Sequence, residues 1–383
     1  MIAGTHPIRA FLDEAHLRFA ADTADFCARE IAPRAEPPSD ADARAEARAL
    51  LGIMGRARLF EPLREGSWRK VCLVREALGA SSPLADAVYA LQGLGALPIF
   101  FSENTWMRER WGDGAIEGTL LVAFAMTEPE AGSDVAALKT AARHDGPGYV
   151  LDGTKTLISN AGIADFYTTF ASTDPAAGGK GISCFVVPAD SPGFRFVGPQ
   201  VLSAAHPLGD IAFEGCRVSE RNRLGEEGRG YALGLRTLDR MRATVGAAAC
   251  GMAARALDEA LRHARGRRQF GKPIAEFQLV QEKLARMATD LTAARLLVYR
   301  AAWAADHGAE RVTLESSMAK AYATEAAQRI VDDAVQILGG SGVLASHPVD
   351  RLYRAVRALR IYEGTTEIQH LVIAGHLTRE TGA

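Results

Sequence analysis

Cysteine is scarce in this chain, and no long run of one character interrupts it. The five cysteines, Cys27, Cys72, Cys184, Cys216 and Cys250, have neither metal-ligand spacing nor a redox motif. A disulfide scaffold and a zinc module are therefore excluded, and a reduced cytoplasmic setting is expected. No apolar run reaches the ~18 residues a spanning helix needs, and no basic region followed by an apolar stretch opens the chain, so no membrane association is expected. A charge excess is missing too: 44 Lys plus Arg face 46 Asp plus Glu, leaving no global field to attract nucleic acid. No G-x-G-x-x-G opens a helix after a strand. The nearest approach, Gly225-Glu226-Glu227-Gly228-Arg229-Gly230, puts two acids where phosphate would sit and reads as a linker turn.

At 383 residues the chain is too long for one simple core. Residues 1–118 read as helices, with apolar positions at three- and four-residue steps (Phe11, Leu12, Ala15, Phe19) and breaks at Pro33, Pro37-Pro38 and Pro83. Over 119–226 the period changes to short β-branched and aromatic runs: Tyr149–Leu151, Phe166–Phe170, Ile182–Val187 and Phe194–Val197. Asp152-Gly153 reads as a hairpin turn, and Asp174–Lys180 as a surface loop between strands. Over 227–383 the helical period returns, with Val280, Leu284, Met287, Leu291, Ala294 and Val298 on one face. Long helices with short connections imply an antiparallel bundle.

Several blocks stand out against this background. Ala125–Asp134 is a Pro/Gly-broken loop with hydroxyls, Thr127 and Ser133, at offsets suited to flavin and phosphate contacts, and small neighbours that permit close backbone approach. Lys155–Asn160 is a strand carrying Ser159. Arg265–Ile274 reads as a helix end with Gly271 and Pro273 as stop signals. Gln336–Gly342 contains Gly339 and Gly340 in what reads alone as a glycine cap. Asp239 and Arg242 share one helix face. Finally, Ile361–Gln369 sets Glu363 directly before Gly364, after the basic run Arg351, Arg354, Arg357 and Arg360.

Together these blocks resemble the acyl-CoA dehydrogenase family of flavoenzymes, from about Leu94 to Ile373. The resemblance implies an α+β, mostly α fold: an N-terminal helical domain (1–118), a central β-barrel-like or orthogonal-sheet domain (119–226) and a C-terminal four-helix bundle (227–383). It implies FAD as cofactor, an acyl-CoA or acyl carrier protein thioester as substrate, and an electron-transferring flavoprotein as acceptor. Thr127 and Ser159 match positions at the flavin ring, and Ser133 one near the pyrophosphate. Arg267, with Gln269 and Phe270, matches an arginine that reaches a neighbouring subunit's FAD, and Gln336, Gly339 and Gly340 match a segment on its adenosine part. A homotetramer is therefore the expected assembly. Thr365 and Glu367 match positions along the flavin chain. Asp239 and Arg242 match residues beside the pantetheine, and Gly364 belongs to the substrate-binding turn.

Glu363 matches the general base that takes the substrate α-proton, while flavin N5 takes the β-hydride. The Glu363 amide and a flavin ribityl hydroxyl would polarise the thioester oxygen. Some branches place the base on another helix, at the position of Met241, which cannot take a proton. Leu157 departs from the family, standing where tryptophan is usual. The span between Met54 and Trp68 is short, implying a more open substrate entrance. No Lys or Arg occurs between Glu76 and Met107, which argues against a dicarboxylyl substrate held there by arginine. A nitroalkane-type oxidase would carry Asp in place of Glu363, an acyl-CoA oxidase would be much longer, and a nucleic-acid-associated relative would need a basic tail. This chain ends Arg379-Glu380-Thr381-Gly382-Ala383. No metal site is expected.

Overall fold

The computed structural model describes residues 4–380; Thr381-Gly382-Ala383, the end of the near-neutral tail, and the first three residues lie outside that range. The segment before the sheet is helical: α1 (Glu14–Phe26), α2 (Asp40–Arg56), α3 (Glu61–Glu65), α4 (Trp68–Ser81), α5 (Pro83–Phe101), α6 (Thr105–Met107) and α7 (Asp113–Glu117). Capping chemistry sets several starts. Asp13 accepts from the Ala15 and His16 amides, Ser39 from the Asp42 amide, and Pro83 opens α5, where an N–H would lack a partner anyway.

Eight strands follow among the described residues: β1 (Val122–Ala125), β2 (Ala141–Asp145), β3 (Gly148–Ser159), β4 (Phe166–Ser172), β5 (Ile182–Pro188), β6 (Phe194–Pro199), β7 (Leu208–Ser219) and β8 (Arg223–Leu224). Across the sheet they run β6-β7-β3-β2-β4-β5-β8, with β1 parallel to β4. Beyond it come α8 (Gly230–Gly266), a two-residue hairpin β9 (Arg268–Gln269) and β10 (Lys272–Pro273), then α9 (Gln278–Asp306), α10 (Thr313–Leu338), α11 (Pro348–Leu359) and α12 (Thr366–Glu380).

Packing divides the chain into two units. The helical unit comprises the chain through Arg34, Ser67–Asp86 and everything from Arg242 on. In it α10 packs on α9, α11 and α12, and α4 packs on α9. A Cβ at Gly251 would collide with the Glu76 carbonyl, so glycine is what lets α8 lie this close to α4. The sheet unit comprises Ala35–Gly66 and Ala87–Met241. Its core is filled from the strands by Tyr149, Leu151, Tyr167, Phe185, Ile211 and Phe213.

Three sequence expectations need correction. Asp152-Gly153 is not a turn: both residues lie inside β3, where the register with β7 shifts between Leu151 and Gly153. Positive φ at Gly153 serves a bulge there, while the β2–β3 turn is made at Asp145–Gly148. The block 265–274 is helical only to Gly266 and then forms the β9–β10 hairpin. Lastly, α5 has the length and apolar composition to cross a membrane, yet 83% of its apolar window is buried, as in a core helix.

Candidate active site

Glu363 lies on the turn between α11 and α12, in the helical unit. Its φ of +54° is a left-handed backbone costing a non-glycine residue about 1–3 kcal/mol, and it persists only where neighbours hold it. Here they do. The Glu363 carbonyl accepts from Arg242 Nε at 3.4 Å and from Gln369 Nε2 at 3.3 Å. The Gly364 carbonyl accepts from Gln369 Nε2 at 3.0 Å and from Lys320 Nζ. Gly364 has φ +90°, a left-handed backbone that strains any residue carrying a Cβ.

With both carbonyls held, the Glu363 N–H has no acceptor among the described residues. The carboxyl is also incompletely bonded: its Oε2 is buried without a hydrogen-bond partner. Burial raises its pKa above the ordinary value, against the pull of Arg75, Lys320 and Arg242. Lys320 is pushed the opposite way, downward, also by burial. A carboxyl short of donors, raised in pKa and next to a free amide donor has the makings of a general base beside an oxyanion site.

Arg75 on α4 was not among the sequence candidates. The stretch read as free of Lys and Arg began one residue too late. Arg75 is wholly buried; Nε and Nη2 each lie 2.8 Å from an Asp86 oxygen, and Nη1 is 2.9 Å from Thr244 Oγ1. An arginine is therefore present, but its fork is committed to Asp86. Charged residues inside apolar runs, the pair Arg75-Glu76 in α4 and the single Lys320 among the buried alanines of α10, were the signal available.

In the sheet unit, the segments bearing Thr127 and Ser159 are joined. The Thr156 amide donates to the Thr127 carbonyl at 3.0 Å. Lys155, fully buried, reaches Glu128 Oε1 at 2.8 Å and the Met126 carbonyl at 3.2 Å. Burial acts to raise the Glu128 pKa, but Lys155 and the amides of Lys139 and Thr140 hold it below the usual range. Burial lowers Lys155 to about 8. The hydroxyls of Thr127 and Ser133 have no partner among the described residues, whereas Ser159 Oγ lies 2.7 Å from His206 Nε2.

Leu157 sits in a second β3 bulge with φ +55°, 54% exposed, its amide donating to Asp210. The rings of Phe124 and Phe166 pack against Phe170 and Trp111 respectively. Met241 is fully buried, with its methyl where a Gly93 Cβ would be. Asp239 Oδ1 is buried without a partner.

The remaining candidates belong to the helical unit. Arg267 is exposed and forms no ion pair among the described residues; Phe270 is 93% exposed at φ +48°. Gln269 donates to the Arg268 carbonyl. Gln336 is exposed, and open space surrounds the Cβ positions of Gly339 and Gly340. Thr365 Oγ1 accepts from the Ile368 amide as the cap of α12. Glu367 is exposed, its carboxyl held below the usual range by its own amide and by Thr365. In the sheet unit the Thr127 and Ser133 hydroxyls, and in the helical unit the Arg267 guanidinium, the open space at Gly339 and Gly340 and the exposed Phe270 ring, are groups whose chemistry fits a flavin dinucleotide. Among the described residues six non-glycine positions have positive φ, and four of them, Leu157, Asn160, Phe270 and Glu363, fall in the blocks singled out by sequence.

Comparison with known proteins agrees with this geometry. Residues 228–378 match the family profile described as acyl-CoA dehydrogenase, C-terminal domain, and residues 123–216 the one described as acyl-CoA dehydrogenase, middle domain. The chain belongs to the acyl-CoA dehydrogenase family of oxidoreductases. It is 41% identical over 311 residues to a 3-(aryl)acrylate reductase of Clostridium sporogenes, covering 81% of this chain and 82% of that one. To the mitochondrial short-chain specific acyl-CoA dehydrogenase of Rattus norvegicus it is 42% identical over 288 residues, covering 74% and 69%. The solved butyryl-CoA dehydrogenase of Megasphaera elsdenii superposes with a TM-score of 0.89 at 33% identity, covering 96% of this chain and 99% of that one.

Proposed function

We propose that the protein desaturates an acyl thioester between its α and β carbons, giving the trans-2-enoyl thioester, with Glu363 as general base. The observation that carries this reading is the Glu363 turn: a buried carboxyl oxygen without a donor, and beside it a main-chain N–H without an acceptor. The N–H would donate to the thioester oxygen, acidifying the α-proton that the carboxylate then removes. Arg242, Lys320 and Gln369 hold the turn for that task. Asp239 would take a donor from the pantetheine arm.

FAD, when bound, supplies the acceptor for the β-hydride. Thr127, Ser159, Thr365 and Glu367 would contact it from its own subunit and Ser133 its pyrophosphate. Arg267, Gln269, Phe270, Gln336, Gly339 and Gly340 would grip the cofactor of a neighbour, in a homotetramer. An electron-transferring flavoprotein is the proposed acceptor, acyl-CoA the proposed substrate form, and the cytoplasm, consistent with five free buried cysteines, the proposed setting. One observation favours a second reading as an oxidase: the exposed Leu157 edge.

The test is product analysis. Incubating the flavin-loaded protein with a panel of saturated acyl-CoA and acyl carrier protein thioesters and a dye acceptor should give a product two hydrogens lighter from at least one of them. Absence of any such product across chain lengths, branched and aryl-substituted chains included, would refute the reading.

A further inference from the structure

Ser159, to which the proposed function gives a flavin-ring contact, does not orient its hydroxyl freely. Its Oγ lies 2.7 Å from His206 Nε2. Backbone bonds fix the two residues to each other: Ser159 is in register with Leu208 across β3 and β7, and the Asn160 amide donates to the Pro207 carbonyl at 2.9 Å. Just beyond, Asp210 accepts from Thr156 Oγ1 at 2.6 Å and from the Leu157 amide at 3.2 Å. Burial depresses the His206 pKa to about 4, with no charged neighbour contributing. The ring is therefore neutral near pH 7, with one bare nitrogen and one N–H. At 2.7 Å the Ser159 hydroxyl either donates to Nε2 or accepts from it, according to which ring nitrogen is bare.

We propose that His206 is a positioning residue that accepts the Ser159 hydroxyl proton, so that Ser159 presents oxygen lone pairs rather than its hydrogen to the flavin ring. The consequence is a bias in redox equilibrium. Oxidised N5 has a lone pair and needs a donor; once the substrate has delivered its hydride, N5 carries hydrogen and needs an acceptor. A serine whose proton is held by His206 matches the second state. The inference rests on the flavin reading above, and its failure is separable from that one.

Two measurements test it. In flavin-free protein, 15N NMR of the His206 ring should show a bare Nε2 and a protonated Nδ1; the opposite tautomer overturns the proposal. In flavin-loaded protein, the reduced-to-oxidised ratio against a reference dye should fall roughly two- to tenfold in His206→Ala, the effect of one hydrogen bond. His206→Gln, whose amide oxygen can accept the same proton, should recover most of that loss. In a Ser159→Ala background, His206→Ala should have no effect. An unchanged ratio in His206→Ala or a shift that persists without Ser159 overturns the proposal, and if His206→Ala loses flavin, the Gln variant decides. A wild-type protein that binds no FAD would remove the cofactor reading, and this inference with it.

Discussion

A carboxyl that is buried and short of donors binds its proton more tightly in the folded chain than in the unfolded one. Burial raises Glu363 above its ordinary 4.5, so its favourable contribution to stability is fully present below that value and is lost as pH rises through the folded pKa. Glu363→Gln cannot ionise. In ligand-free protein it should melt at higher temperature than wild type at pH 8, and the difference should shrink toward zero as pH falls to about 4; an equal difference at every pH would mean the carboxyl is not perturbed. Turnover needs the ionised base, so wild-type kcat should fall as pH drops through the raised pKa. The Gln variant should turn over ~10²–10⁴ less with FAD still bound. Leu157 gives a second residue-scale expectation. A leucine has less area than an indole and no π-face, so the flavin edge should react faster with oxygen in the wild type than in Leu157→Trp. Equal stopped-flow reoxidation rates would make the position mere packing. Glu363 was legible because glutamate-glycine in that block is a family mark. Arg75 and His206 were not, because neither the Arg75-Glu76 pair in its apolar run nor a single histidine says what faces it across the fold.

At the scale of elements, the two sheet-unit segments with candidate flavin contacts are held by Lys155 and Glu128, at 0% and 6% exposure. Removing one partner strands the other's charge in a dry site, which typically costs 3–5 kcal/mol. Lys155→Met should therefore lower the urea midpoint clearly and release flavin, whereas exposed Lys139→Met should leave the midpoint nearly unchanged. Equal small effects would show the buried pair to be dispensable. The strands β4, β5 and β6 were readable from their aromatic and β-branched runs. The longest partner, β7, was missed because Gly209, Asp210, Glu214 and Gly215 break its apolar pattern, and β2 because Arg143, His144 and Asp145 look like a loop. Asp152-Gly153 misled for a related reason: positive φ at a glycine suits a bulge as well as a turn, and only cross-strand register distinguishes them.

At the scale of the whole molecule, Phe270, 93% exposed, and Arg267, without an ion pair among the described residues, are the side chains that the proposed function sets against a neighbouring subunit's cofactor. Arg267→Ala should weaken FAD retention as a homo-oligomer, and Glu363→Gln should be inactive as one. On the proposed arrangement, mixed oligomers of the two should recover activity, because cofactor grip and base would come from different chains. Exchanged subunits with no recovery would place the arginine in its own chain's site. The alternation of helix, strand and helix was visible in the hydrophobic period alone. The division into packing units was not, since Ser67–Asp86 joins the C-terminal helices through contacts far apart in sequence.

Anaerobic titration of the yellow, flavin-loaded protein with saturated acyl-CoA reads proton and hydride loss together, with no acceptor protein to complicate it. Wild type should bleach with at least one thioester at one equivalent per flavin, and Glu363→Gln should bind the same thioester, shifting the flavin spectrum without bleaching it. A Glu363→Gln protein that bleaches as fast as wild type, or a wild type that no thioester bleaches, would contradict Glu363 as the base of an acyl thioester desaturase.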